Sequence, residues 1–200
     1  MSSADDSVGE ATGEPLTSRR YTAAQRRTAD TALTLFSERG VSGTSLQMIA
    51  DALGVTKAAV YHQFRTKDEI VLAVAEIELS WLEAAVAAAE AQDSDVRARE
   101  VLLTDVVDLA VRRRNLVGVL QGDPVMIRFL AEYEPFAWLM ERLFAVLAGA
   151  EPDTDMRVQA AMMAAAIGGA AIHPVVAELD DDTLRGHLLS LTRRLFRLDE

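Results

Sequence analysis

The sequence predicts an all-α chain in two parts, a short basic helical module followed by a longer acidic helical body. Three observations predict it. Apolar residues recur every third or fourth position along nearly the whole chain, and no strand-like alternation persists. The stripes are separated by polar or glycine-bearing breaks: LGV at 53–55, RTKDE at 65–69, AQDSD at 91–95 and GAEPD at 149–153. Charge is also segregated. Residues 15–67 hold eight Lys or Arg against three acids, giving +5, while residues 1–14 hold −4 and residues 68–200 hold −12, within a total of −11.

The elements follow in order. Residues 1–20 read as a tail, acidic at first and basic at Arg19 and Arg20, with the Ser, Gly, Asp and Glu content of a disordered segment. The tail has neither the basic start nor the apolar run of a secretory leader. A first helix over 22–39 turns Ala29, Ala32, Leu35 and Phe36 inward and is stopped by Gly40. A second is capped by Thr44 or Ser45, carries Ile49 and Leu53 as its apolar pair, and ends at Gly54. A short third has Thr56 as its cap and Val60 and Phe64 as its apolar side. The fourth starts near Lys67, follows Ile70, Val74, Ile77 and Trp81, and runs to about 91.

Beyond it, 96–114 makes a fifth helix that ends in three arginines, a favourable charge for a helix C-terminus and a solvated cluster rather than a second anion site. Asp123 caps a helix with Pro124 at its first position. Pro135 starts or kinks another that reaches about 147. Asp153 or Thr154 opens an Ala-rich helix to about 178, kinked at Pro174. The last is capped by Asp181 or Asp182 and carries Leu184, Leu188, Leu191 and Leu195 on one face. The apolar run at 160–177 is mostly Ala and Gly and is interrupted by His173 and Pro174, which favours a buried helix over a membrane span.

Function is concentrated in GVTKAAVYHQF, residues 54–64. Two short helices separated by LGV are the signature of a helix-turn-helix, with Gly54 supplying the left-handed conformation of the turn. Ile49, Leu53, Val60 and Phe64 form the shared core and leave Lys57, Ala58, Ala59, Tyr61, His62 and Gln63 mostly outward. Two alanines in an outward first turn suit a backbone that must approach a surface closely. A DNA major groove is such a surface: alanine methyls meet thymine methyls, and Lys57 reaches a guanine edge or a phosphate. Tyr61 and His62, one turn later, lie where a recognition helix meets phosphates. Thr44, Ser45 and Lys67 lie at helix N-termini, which favour phosphate contacts.

On these residues, and on ALTLFSERGVSGTSLQMIADALGVTKAAVYHQFRTKDEI as a whole, residues 22–67 resemble the DNA-binding domain of tetracycline-repressor (TetR) family regulators. The resemblance implies phosphate contacts at Thr44, Ser45, Tyr61, His62 and Lys67, and base reading at Gln47, Thr56, Lys57, Ala58 and Ala59. Thr28 departs from the family, which favours an aliphatic residue there. The resemblance further implies a DNA-binding domain over 21–67 and a ligand-binding and dimerisation domain over 68–200. It implies a homodimer through the last two helices on a palindromic double-stranded operator, and repression relieved by a small molecule. Gly168, Gly169 and the leucine stripe suit such an interface.

Candidates for the ligand site are Trp81, Phe129, Tyr133, Trp138, Met162 and His173, with Phe136, Met140 and Met163 beside them. His173, next to Pro174, either serves a ligand or caps the freed backbone carbonyl. The scarcity of buried-looking charge points to an apolar or aromatic ligand. An enzyme is disfavoured: the chain has no GxSxG, no HExxH, no phosphate-cradling glycine loop and no cysteine. Glu134, near Tyr133 and Arg128, is the one cluster worth testing for catalysis. The three histidines have no metal-ligand spacing, and no cofactor is expected. A helical adaptor that has lost DNA binding is favoured by the −11 charge and opposed by Lys57, Tyr61 and Lys67. A cytoplasmic location follows from the missing leader and span.

Overall fold

Capping chemistry sets the boundaries of the N-terminal helices in the computed structural model, which describes residues 21–149, 151–196 and 198. Helix α1 (Ala23–Gly43) opens with a capping box: the Thr22 hydroxyl accepts from the Gln25 N–H, and the Gln25 side chain reaches back to the Thr22 N–H. Gly40 breaks the helix at φ +73°, ψ 161°, so the regular part ends where the sequence places it. Ser45 caps α2 (Leu46–Leu53) by accepting from the Met48 N–H, and Gly54 closes it in the left-handed conformation, φ +67°, ψ 31°. Thr56 caps α3 (Lys57–Gln63) through the Ala59 N–H, and Thr66 caps the long α4 (Lys67–Glu90) through the Glu69 N–H. Phe36, Ile49, Val60, Phe64, Ile70 and Val74 are all buried and join the three short helices to the start of α4.

The body is wrapped around α4. Helix α5 (Asp95–Arg112) makes its most extensive packing with α4. The chain then breaks at Arg113 (φ −122°, ψ 40°) and resumes as α6 (Arg114–Gly122), where a single fifth helix reaching residue 114 was expected. Asp123 caps α7 (Pro124–Glu132) through two N–H groups, and Pro135 sits in the first turn of α8 (Glu134–Ala148). Helix α9 (Thr154–Ile172) stops before His173 instead of kinking and running to 178. Pro174 disfavours a helical residue before it and begins a short 3₁₀ turn, Pro174–Val176. Asp180, one residue ahead of the expected caps, starts α10 (Asp181–Leu195).

The leucine stripe of α10 divides. Leu184 and Leu188 are buried against the body, while Leu191 and Leu195 face outward. On α9, Val158 and Met162 are exposed in the same manner, Met162 by 62%. The two last helices therefore carry an uncovered apolar face. The alanine-rich partner face meets α6: Gly168 leaves room for the Gln121 side chain, where an added Cβ would lie 2.1 Å from the amide nitrogen. Gly169 has open space beside it. Among the described residues no helix is long and apolar enough to cross a membrane. The tail at 1–20 lies outside the described residues.

Candidate DNA interface and interior cavity

The outward face of α3 is small, mildly basic and aromatic-tipped. Lys57, Ala58, Tyr61 and His62 line one shallow surface concavity, with Tyr61 54% exposed. Ala59 is half-buried behind them, and Val60 and Phe64 fasten the helix to the core. Thr56 and Ser45 are exposed at the N-termini of α3 and α2, each hydroxyl already accepting one backbone N–H. Gln47 is exposed and its amide donates to Asp51 Oδ1 at 2.7 Å.

Two of the sequence-predicted residues are turned inward. Thr44 is buried; its hydroxyl donates to the Gly40 carbonyl at 2.9 Å and so closes the end of α1. The Lys67 ammonium donates to the carbonyls of Val41 (2.9 Å) and Thr44 (3.3 Å). Both satisfy carbonyl groups left over where Gly40 interrupts α1, a demand that is invisible until that break is seen in three dimensions. Thr28 has a purpose that the sequence did not reveal. It is buried, and its hydroxyl lies 2.9 Å from Gln63 Oε1, tying the first helix to the third where an aliphatic residue would only pack.

The body encloses a cavity of about 220 Å³. Its walls come from six helices: Leu79 and Leu82 of α4, Leu102, Val106 and Leu109 of α5, Leu116 and Leu120 of α6, Leu130 of α7, Phe136, Met140 and Leu143 of α8, and Ile167 of α9. Its polar side chains are Glu78 and Gln121. Glu78, whose side chain is 3% exposed, accepts from the Arg113 guanidinium at 2.5 Å. Burial pushes the Glu78 carboxyl above its ordinary range, and the attraction of Arg113 offsets only part of that.

None of the six primary ligand candidates from the sequence lines this cavity. Trp81 is 55% exposed and lies under the Arg113 guanidinium, 5.2 Å from ring centroid to carbon, in an outer groove. Phe129 and Tyr133 stack on each other at 5.3 Å, and the Tyr133 hydroxyl donates to Glu76 at 2.8 Å. Trp138 is covered by Arg142 at 4.4 Å. Met162 points outward from α9. His173 lies in an open cleft between α1, α6 and the end of α9, where its Nδ1 accepts from the Val175 N–H. The contact is made to an N–H of the following turn, not to the freed carbonyl that the sequence offered as its partner. Phe136 and Met140, named beside those six, do line the cavity.

Glu76, Glu78 and Glu83 are buried on α4, contrary to the expectation of little buried charge. Their spacing in an otherwise apolar helix was the available signal. Glu134 is exposed, and Tyr133 gives its hydroxyl to Glu76, so the cluster considered for catalysis is not brought together in that form. Among the described residues no group of His, Cys, Asp and Glu is arranged to hold a metal.

Two carboxylates, Asp123 and Glu76, join the two regions. Asp123 Oδ1 accepts from the Val125 and Met126 N–H groups at the start of α7, while Oδ2 accepts from the Val41 N–H at 2.7 Å, just past the Gly40 break. Helix α6 thus has Arg113 at one end, beside the cavity, and at the other a direct bond to the helix-turn-helix domain. Tyr21, ahead of α1, donates to Glu76 of α4 and makes a second tie.

Residues 29–74 match the N-terminal domain of the bacterial regulatory proteins of the tetR family. The chain is 47% identical over 51 residues to the HTH-type transcriptional regulator AcrR of Shigella flexneri, a match covering 26% of this chain and 24% of that protein. It is 32% identical over 113 residues to the HTH-type transcriptional repressor KstR2 of Rhodococcus jostii (strain RHA1), covering 56% and 54%. The matches therefore span from about a quarter to about half of these relatives. The fold is similar over nearly the whole chain to that of AibR, solved in complex with isovaleryl coenzyme A and operator DNA. The TM-score is 0.64 at 19% identity, with 84% of this chain and 96% of that one covered. At that identity the likeness concerns the fold alone.

Proposed function

We propose that the chain is a ligand-responsive DNA-binding repressor of the TetR family, on the match of residues 29–74 to that family's N-terminal domain. Residues 21–67 are the reading domain and 68–200 the ligand-binding and dimerisation domain. The observation that carries the reading is the outward face of α3, where Lys57, Ala58, Tyr61 and His62 stand together on a helix fixed at both ends. With Ala58 at its front and only the small, half-buried Ala59 beside it, the helix can approach base edges closely, while Tyr61, His62, Ser45 and the N-terminus of α2 meet phosphates. Gln47 reaches the groove by giving up its bond to Asp51. Thr44 and Lys67 act from behind by fixing the end of α1, and their backbone settings position Ser45.

The uncovered apolar face of α9 and α10 supports a homodimer through those helices, which places two α3 helices on a two-fold operator. The cavity among α4 to α9 is the effector site in this reading. Its occupant acts on α4, which also carries Lys67, and on α6, which ends at the Asp123–Val41 bond. Either movement changes the separation of the two α3 helices, and half-sites about 34–36 Å apart tolerate little change.

The test is a gel-shift titration against the DNA flanking the gene, repeated on a random DNA pool, with Tyr61→Ala beside the wild type and at two salt concentrations. Salt-sensitive binding that depends on Tyr61 is expected. If the wild type enriches no sequence that Tyr61→Ala fails to enrich, the reading is wrong.

A further inference from the structure

The cavity wall holds one buried acid, and its partner is the more exposed of the two. Glu78 sits on the middle of α4 with its side chain only 3% exposed. Arg113 is 34% exposed, occupies the break between α5 and α6, and rests against the exposed Trp81 ring. Leu109 lines both the cavity and the outer groove that contains Trp81 and Arg113. The Glu78–Arg113 pair therefore stands between the cavity and the outside.

We propose that the cavity takes a small apolar organic cation, an aryl- or alkyl-substituted ammonium, whose charged group replaces the Arg113 guanidinium on Glu78. The proposal rests on the reading of this cavity as the effector site and names the class of effector.

Charge balance favours the exchange. One cation leaves the carboxylate and another takes its place, so no buried charge is left unpaired at any stage of the comparison between empty and filled states. The released guanidinium has somewhere to go. It already rests on the Trp81 face and keeps that contact, and Asp105 and Asp108 line the same outer groove. An anionic ligand has no such exchange. From the cavity it reaches Arg113 only by displacing Glu78, a buried side chain in the middle of α4. A neutral ligand satisfies the apolar walls but leaves the ion pair as it was. The volume, about 220 Å³, exceeds the roughly 150 Å³ of a protein cavity that accommodates benzene, so a single ring with a short aminoalkyl chain suits it. Filling the site in this way frees Arg113, which is the start of α6. The far end of that helix holds the helix-turn-helix domain through Asp123, so the exchange has a direct mechanical outlet.

The experiment is calorimetric titration of the full chain with three matched probes, 3-phenylpropylamine, 3-phenylpropanol and 4-phenylbutanoate. The amine is expected to bind about tenfold or more tightly than either of the others. Glu78→Gln should abolish that preference. Arg113→Gln, which removes the competitor, should strengthen amine binding at a pH above the Glu78 titration midpoint of that variant, and circular dichroism establishes that each variant is folded. Equal or tighter binding of the alcohol or the acid overturns the proposal, as does absence of amine binding or weakening by Arg113→Gln. Operator binding is measured on the same samples. A protein that binds operator but not the amine fails this proposal alone. One that binds the amine through Glu78 but binds no DNA fails the regulator reading alone.

Discussion

The two regions of the molecule handle charge in opposite ways. Each of the eight ion pairs among the described residues joins side chains between Glu78 and Arg193, within the acidic body. None of these pairs involves Arg26, Arg27, Lys57 or Arg65, which belong to the basic segment and are exposed. The body spends its cations internally, on Glu78, Glu83, Glu90, Glu100, Asp108 and Asp181. The N-terminal domain instead holds itself together with apolar residues and hydroxyl caps. A cation with no internal partner keeps its full attraction for an external polyanion, whereas one already paired must first give up a carboxylate. The net charge of −11 therefore says little about DNA affinity, because its distribution decides which surface a duplex can approach.

The comparison breaks most severely if the uncovered face of α9 and α10 is not an interface. Met162→Asp combined with Leu191→Asp places charge on two exposed apolar positions, so the helical content should be unchanged. The protein should sediment as a monomer, and operator affinity should fall by about a hundredfold or more, because the second half-site is no longer bound intramolecularly. A double variant that stays dimeric removes the interface from this face.

Substitutions of single charges sharpen the contrast. Lys57→Ala should weaken operator binding by about tenfold and make the salt dependence less steep, since it removes an unpaired cation from the proposed contact surface. Arg193→Gln, which breaks an exposed pair with Glu100, should leave DNA binding unchanged and cost under about 1 kcal/mol of stability. Equal effects of the two on DNA affinity would erase the distinction between the regions. Asp123→Ala tests the tie between them. It removes the cap of α7 and leaves the Val41 N–H without its partner, and it should cost about 1–3 kcal/mol in urea unfolding. Asp123→Asn should recover part of that loss.

The same division governs how much of the structure was legible in the sequence. Ser45, Thr56 and Gly54 do their work within a few residues of themselves, as Asp123 does in capping α7, so a hydroxyl, a carboxylate or a glycine at the right offset was enough to place them; the bond of Asp123 to the Val41 N–H, 82 residues away, left no such local mark. The break at Arg113 has no glycine or proline to announce it, and a run of three arginines reads equally well as one helix end. The cavity is assembled from six helices, and nothing local distinguishes Leu102 on its wall from any other core leucine. The aromatic residues chosen for it were conspicuous in sequence, yet Trp81, Trp138 and Tyr133 are each occupied by a polar partner at the edge of the body. Thr44 and Lys67 were legible as helix-end residues, but the carbonyl groups they satisfy become apparent only once Gly40 turns the chain.

The smallest predicted effect concerns Glu78 and has a definite sign. Burial raises its carboxyl above the ordinary value of 4.5, and Arg113 lowers it by less than burial raises it. The folded protein thus holds this proton to a higher pH than the unfolded chain does. As pH rises from about 4.5 through the folded midpoint, the unfolded state releases the proton first, and stability is lost over that window at about 1.4 kcal/mol for each unit of displacement. Glu78→Gln is neutral at every pH and lacks this loss. In urea unfolding the wild type should therefore weaken relative to Glu78→Gln as pH rises through the window, whatever constant offset the unpaired Arg113 adds. Arg113→Gln removes the opposing attraction and should move the Glu78 carboxyl resonance to a still higher titration midpoint in carbon NMR. A midpoint that falls instead would mean that Arg113 is not the partner restraining this charge, and the body would then resemble the N-terminal domain in leaving its cations unspent.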